Sequence, residues 1–257
     1  MNDAESPGAT AFEGGEILRY EVSWNGNKAG HGDVTTKKEA AEITVTAQAV
    51  SDDPVKKILE IWSRVQATFK LQGFKPQKYS FLLKSNLGGI ESVDLAFNHA
   101  TSLVQVNKRK GDERESHAEK FAGTYDPITA IYLLRRQDDL GKPMYVDIYD
   151  GKDRSRLFVS RMGEEQVQVR AGLLPSIRLA WKLNKLGGDG HEIATGKLWI
   201  SKDKYRIPLL LTSSPVVGTI RLELVHAQLG QTVIGGAADD GVSSHSMAAG
   251  LRDARSR

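Results

Sequence analysis

A hydrophobic alternation with period two runs through most of this chain, and it confines the fold to β-sheet. Leu18, Tyr20, Val22 and Trp24 alternate with Arg19, Glu21 and Ser23. That order places apolar side chains on one face of a strand and polar ones on the other. The pattern returns at Ile43, Val45, Ala47 and Ala49, at Val93, Leu95 and Phe97, and at Met144, Val146 and Ile148. It returns again at Leu198 and Ile200, at Ile207, Leu209 and Leu211, and at Ile220, Leu222 and Leu224. Turn formers separate these runs: Asn25-Gly26-Asn27-Lys28, Asn86-Leu87-Gly88-Gly89, Asp150-Gly151-Lys152 and Gly187-Gly188-Asp189-Gly190. Short strands punctuated in this way predict a meandering antiparallel sheet, not βαβ units.

Two segments break the period. Asp126 to Arg136 reads as a helix, with Asp126 able to cap the first free N–H groups and Pro127 at the first helical position, where its missing donor costs nothing. Ile128, Ile131, Leu133 and Leu134 leave little of its circumference polar, so the helix is expected to be enclosed by the sheet. Arg135 and Arg136 lie in its last turn, where cations suit the helix dipole. The second break, Asp52 to Leu59, reads as a short helical turn feeding a strand through Trp62, Val65 and Ala67.

The expected fold is therefore all-β with one or two short helices: a long twisted antiparallel sheet, as an open barrel or β-spiral, wrapped around a buried helix. Residues 13–232 are expected to form a single β-barrel-like domain, since the strands on either side of residues 136–142 lack complete cores of their own. Residues 1–12 and 233–257 are small and polar and are expected to be disordered.

Composition excludes several function classes. Thirty-five basic and 32 acidic residues leave a net charge of only +3, too balanced to point to nucleic acid. The one dense basic run, Lys108-Arg109-Lys110, is diluted at once by Asp112, Glu113 and Glu115 and reads as a solvated hairpin tip. The absence of cysteine removes disulfides, thiolate metal sites and thiol catalysis. No run approaches the roughly 18 apolar residues of a membrane-spanning helix. The first residues lack the basic and apolar regions of a secretory signal, which fits either a cytoplasmic chain or one whose leader has been removed.

No catalytic signature is present. The six histidines, His31, His99, His117, His191, His226 and His245, are not spaced as metal ligands, and there is no Gly-x-Ser-x-Gly elbow or phosphate-binding glycine loop. No metal, cofactor or catalytic residue is expected. Three carboxylates stand in structured segments. Asp126 is expected to cap the helix, Asp203 to shape the Asp203-Lys204-Tyr205-Arg206 turn, and Glu16 to pair with an arginine. Arg135, at the end of an enclosed helix, needs a carboxylate, and Glu16 and Asp203 are the candidates. Trp24, Trp62, Trp181 and Trp199 are expected in the core, with an open apolar cleft as the alternative. The apolar run Ala171 to Trp181 is either core or the lip of such a cleft.

Three blocks of residues together resemble the bacterial domain-of-unknown-function family 3108. The first is Gly15-Glu16, Leu18, Tyr20, Val22, Trp24, Gly26, Ala29 and Gly30. The second is Asp126, Ala130, Tyr132, Leu134 and Arg135, followed by Leu140 and Gly141. The third is Trp199, Ser201, Asp203, Arg206, Ile207 and Pro208, closing with Gly218, Ile220 and Leu222. Pro127-Ile128-Thr129 departs from the serine-containing turn of the family pattern. The resemblance implies an exported β protein of the periplasm or cell envelope and supplies no activity. The expected function is a non-catalytic binding protein that takes an envelope protein or an apolar, lipid-like ligand through its curved sheet. Its candidate binding residues are Tyr132, Arg135, Trp181, Trp199, Asp203 and Arg206. The alternative is a hydrolase or transferase acting on envelope glycan, which requires Asp126 and Asp203 to face one cleft.

Overall fold

The computed structural model describes residues 15–235, apart from 122, 138, 139, 188, 189 and 215–217. The elements run β1 (Glu16–Trp24), β2 (Asn27–Glu39), β3 (Glu42–Ser51), β4 (Ile61–Lys70), β5 (Lys75–Ser85), β6 (Gly89–Asn98), β7 (Leu103–Lys110) and β8 (Glu113–Lys120). The helix α1 (Pro127–Arg135) follows, then β9 (Met144–Tyr149), β10 (Arg154–Val169), β11 (Gly172–Lys185), β12 (Glu192–Ser201), β13 (Pro208–Ser213), β14 (Ile220–Leu229) and β15 (Thr232–Ile234). Each alternating run seen in the sequence lies in a strand, except that Ile207 stands just before β13. The segment after Asp52 forms a 3-10 turn, Val55–Lys57, that leads into β4 as expected. The strand β15 reaches Ile234, two residues past the boundary expected at 232. The other expected disordered residues, 1–12 and 236–257, lie outside the described residues.

All fifteen strands belong to one antiparallel sheet in the order β8-β7-β6-β5-β4-β3-β2-β1-β14-β13-β12-β11-β10-β9, with β15 on β14. The pairing of β1 with β14 joins two meanders, and it sets Leu18 opposite Ala227 and Tyr20 opposite Leu224. The sheet curls without closing through its own hydrogen bonds, because β8 and β9 remain its ends. Side chains and one short crossing bridge the gap. Arg154 of β10 reaches Glu119 of β8 at 3.2 Å, and Tyr125 pairs with β9 through Tyr125 N to Asp147 O and Tyr149 N to Tyr125 O, both 2.8 Å. The end strand β8 reads Glu-Arg-Glu-Ser-His-Ala-Glu-Lys and is mostly exposed, a charge density that discourages another strand from pairing there.

The interior divides into four apolar clusters, and α1 enters three of them. Ile128 meets the cluster of Ala67, Tyr79, Val93, Leu95, Phe97 and Tyr149. Tyr132 belongs with Ile43, Val45, Phe69 and Phe74. Leu134 belongs with Leu179, Leu198 and Ile200. No described residue of α1 is fully exposed, as an apolar circumference requires. The fourth cluster, around Leu18, Tyr20, Ile207, Leu209 and Leu224, takes Val167 and Val169 from the β10–β11 hairpin. The tip of that hairpin folds back onto β14, where Ala171 N donates to Leu224 O at 3.0 Å, and Arg170 reaches Glu21 at 2.9 Å.

Candidate functional site

The helix begins and ends on buried polar groups. At its start, Asp126 Oδ1 accepts from the backbone N–H groups of Ile128 at 3.0 Å and Thr129 at 2.9 Å, and Oδ2 accepts from the Thr129 hydroxyl at 2.5 Å. Asp126 has no exposed surface. Burial pushes its carboxyl up to about 6, against the pull of these donors toward lower values. The folded chain therefore holds a proton at Asp126 at pH values where the unfolded chain, with its carboxyl near 3.8, has released it. This contribution to stability is full below about pH 4 and is lost as pH rises through about 6. Asp126→Asn keeps an acceptor for the N-terminus and removes the titration. The stability difference between wild type and this variant, measured by urea denaturation, is expected to move in favour of the variant across that window. Asp126→Ala is expected to lose about 1–2 kcal/mol of cap energy.

The other end carries Arg135, which is 2% exposed. Its guanidinium forks onto Glu16 of β1, with Nη2 to Oε1 at 2.5 Å and Nη1 to Oε2 at 3.0 Å. Its Nε donates to Arg206 O at 3.1 Å, and Nη2 also donates to Tyr205 O at 2.9 Å. Glu16 Oε2 further accepts from the Thr36 hydroxyl at 3.3 Å and the Tyr132 hydroxyl at 3.4 Å, and these two hydroxyls lie 2.6 Å apart. The Arg135 guanidinium stands 4.7 Å from the centre of the Tyr132 ring. Burial works against the arginine's charge and the Glu16 carboxylate more than offsets it, so its proton is held more firmly than in water. Burial likewise raises the Tyr132 and Tyr20 hydroxyls above the ordinary tyrosine range, so both stay neutral donors. One node thus fastens α1 to β1, to β2 through Thr36, and to the turn between β12 and β13.

That turn is shaped by Asp203. Its Oδ1 accepts from the Ser201 hydroxyl at 2.7 Å, from Tyr205 N at 2.9 Å and from Arg206 N at 3.1 Å. The turn aims the Tyr205 and Arg206 carbonyls at Arg135, and the Arg206 side chain in turn bonds Gln137 O beyond the helix. Arg135 meets Glu16 and not Asp203. Tyr132, Arg135, Asp203 and Arg206 are therefore brought together, in contact with one another or through the turn they share.

The tryptophans are not part of the node. Trp181 packs with Leu134, Leu179 and Leu198, its ring covering Gly196 on the neighbouring strand. Trp199 packs against the cluster of Leu18, Leu209 and Leu224 and donates from Nε1 to Glu165 at 2.6 Å. Both are half-buried at the margin of the core and not inside it, and Trp24, expected in the core with them, is 40% exposed, because it closes β1 beside an exposed turn. The carboxylate pair required for glycan chemistry does not share a cleft. Asp126 is sealed under its helix, and the recess at Asp203 is lined by Leu174, Pro175, Ser201, Lys202, Leu209 and Ile234. This recess holds about 250 Å³ and is predominantly apolar. Its far wall, Leu174-Pro175, comes from the run singled out as a possible cleft lip. Ile234 and Leu209 could not be assigned to it from the sequence, because β15 is only three residues long and nothing local reports that it lies beside β11.

Comparison with known proteins agrees with this architecture. The crystal structure of a β-barrel-like protein of the domain of unknown function DUF1849 from Brucella abortus superposes with a TM-score of 0.60 at 13% identity, covering 85% of this chain and 98% of that one. A protein described as a lipoprotein from Parabacteroides distasonis gives a TM-score of 0.37 at 11% identity over 82% of this chain and 93% of its own. A protein described as exported, with a YmcC-like fold, from Bacteroides fragilis gives 0.36 at 10% identity over 82% and 93%. None of the curated proteins compared is similar in sequence. The first of these structures shares the β-barrel-like fold, while the profile of the protein family of unknown function DUF3108 matches residues 19–225, most of the folded chain, so this protein belongs to that family.

Proposed function

We propose that this chain is a non-catalytic binding protein of the bacterial envelope that takes an apolar, lipid-like ligand in the recess between β11, the β12–β13 turn and β15. The recess itself carries the reading: about 250 Å³ walled by Leu174, Pro175, Leu209 and Ile234, with Ser201, Lys202 and Asp203 at one side. An apolar wall with a few convergent polar groups is the usual make-up of a small-ligand site. Such a site would take the end of an acyl chain with its polar group toward Lys202. The side chains best suited to acid–base chemistry are already engaged, Glu16 with Arg135 and Asp126 with the helix N-terminus. The envelope location is part of the proposal and follows what the resemblance to this family implies, an exported β protein. Titration with a fluorescent fatty acid tests the reading. Saturable binding that Leu174→Gln, at a half-buried wall of the recess, weakens about tenfold or more is expected, since a polar amide there forfeits the burial of the chain end. Absence of saturable uptake would remove the ligand.

A further inference from the structure

At another place on the sheet, two loops display large aliphatic side chains to solvent. Ile58 is 77% exposed and Leu87 is 75% exposed, the two highest values for large hydrophobic residues among the described residues. A lone exposed leucine needs no explanation, but the loops that carry these two are tied together by a built scaffold. Asn86, beside Leu87, donates from Nδ2 to Ile58 O at 3.2 Å and accepts at Oδ1 from Glu60 N at 2.9 Å. Asn86 N also donates to Glu60 O at 3.2 Å. Ile58 itself rides on a hydrogen-bonded turn, its N–H bonded to Val55 O at 2.9 Å. The hydrogen bonds fix both loops and bury neither side chain.

The strands beneath extend the patch. Lys84 pairs across the sheet with Trp62 on one side and Ile90 on the other, and its ammonium lies 5.3 Å from the centre of the Trp62 ring. Ile90 is itself 37% exposed. The nearby carboxylates are largely neutralised. Glu60 pairs with Lys56 at 3.5 Å, and Asp52 pairs with Lys28 at 3.3 Å and His31 at 2.8 Å. Lys57 has no ion-pair partner among the described residues and Lys84 has only the indole, against Asp53 as the one remaining acid of the loop.

We infer that this tip, Ile58 and Leu87 backed by Trp62 and Ile90 and flanked by Lys57 and Lys84, docks the chain on an anionic lipid surface. Two exposed aliphatic side chains at loop tips offer too little contact area for a stable protein interface. They suit a fluid medium that deforms around them, with tryptophan at headgroup depth and lysines facing anionic headgroups. The patch shares no residue with the recess proposed above, so the two readings stand or fall separately.

Co-sedimentation with vesicles of phosphatidylglycerol and phosphatidylethanolamine, beside vesicles of phosphatidylcholine alone, is the test. The full chain is expected to bind the anionic vesicles, less so as salt rises. Ile58→Asp with Leu87→Asp should lower the binding about tenfold or more, with the circular dichroism spectrum unchanged. Lys57→Glu with Lys84→Glu should abolish the preference for anionic lipid. A chain that stays in solution with every vesicle overturns the inference, including the case in which it self-associates through this patch. Binding that the aspartate pair leaves undiminished overturns it as well.

Discussion

Replacing Arg135 by alanine is expected to lower the stability of the fold by about 3–5 kcal/mol. The change strands the Glu16 carboxylate, which is 2% exposed, without its cation, and it leaves the Tyr205 and Arg206 carbonyls without their donor. A buried charge pays the full desolvation cost once its partner is gone, and that cost exceeds anything the pair gained by meeting. Arg135→Lys should recover only part of the loss. A single ammonium cannot reproduce the fork onto both carboxylate oxygens while also serving two carbonyls. Denaturation in urea at neutral pH reads both values. A loss below about 1 kcal/mol for the alanine variant would mean that the side chain is solvated.

The second large effect is expected at Phe69. Its ring has no exposed surface, stacks on Phe74 at 5.4 Å between ring centres, and meets Tyr132 of α1 at 5.7 Å. Phe69 thus couples the β4 wall directly to the enclosed helix. Phe69→Ala should cost about 3–5 kcal/mol through lost burial and the cavity left between β4 and α1. Phe69→Leu should cost clearly less, because it keeps most of the apolar volume. If the helix merely rested on the sheet surface, the alanine variant would collapse locally and cost little.

Much of this was legible in the chain because the signals are local. Leu18, Tyr20 and Val22 declare a strand by their own alternation, and Asp126-Pro127 declares a helix start by its chemistry. Arg135 announced a buried partner because a charge at the end of an apolar helix has no other resolution. Which carboxylate it would be was not legible. Glu16 and Asp203 were equal candidates until the pairing of β1 with β2 and β14 set Glu16 beside the helix end. Thr36 was invisible as a member of the node, since β2 is poor in apolar residues and a threonine in Thr35-Thr36-Lys37 reads as surface. The β10–β11 hairpin was hidden for a different reason. A bulge between Arg161 and Gly163 shifts the register, so residues of the same parity before and after it face opposite ways. Val159 joins the cluster around Leu179, while Val167 and Val169 join the one around Leu224.

The central claim is that the sheet is held around its helix by the Glu16–Arg135 pair. A double-mutant cycle with Glu16→Leu and Arg135→Met tests it most directly, with stability read from denaturant unfolding. Each single variant leaves one buried charge alone and should be strongly destabilised, whereas the double variant leaves none. The double variant is therefore predicted to be more stable than either single variant, with a coupling of about 2 kcal/mol or more. Losses that simply add would contradict the account.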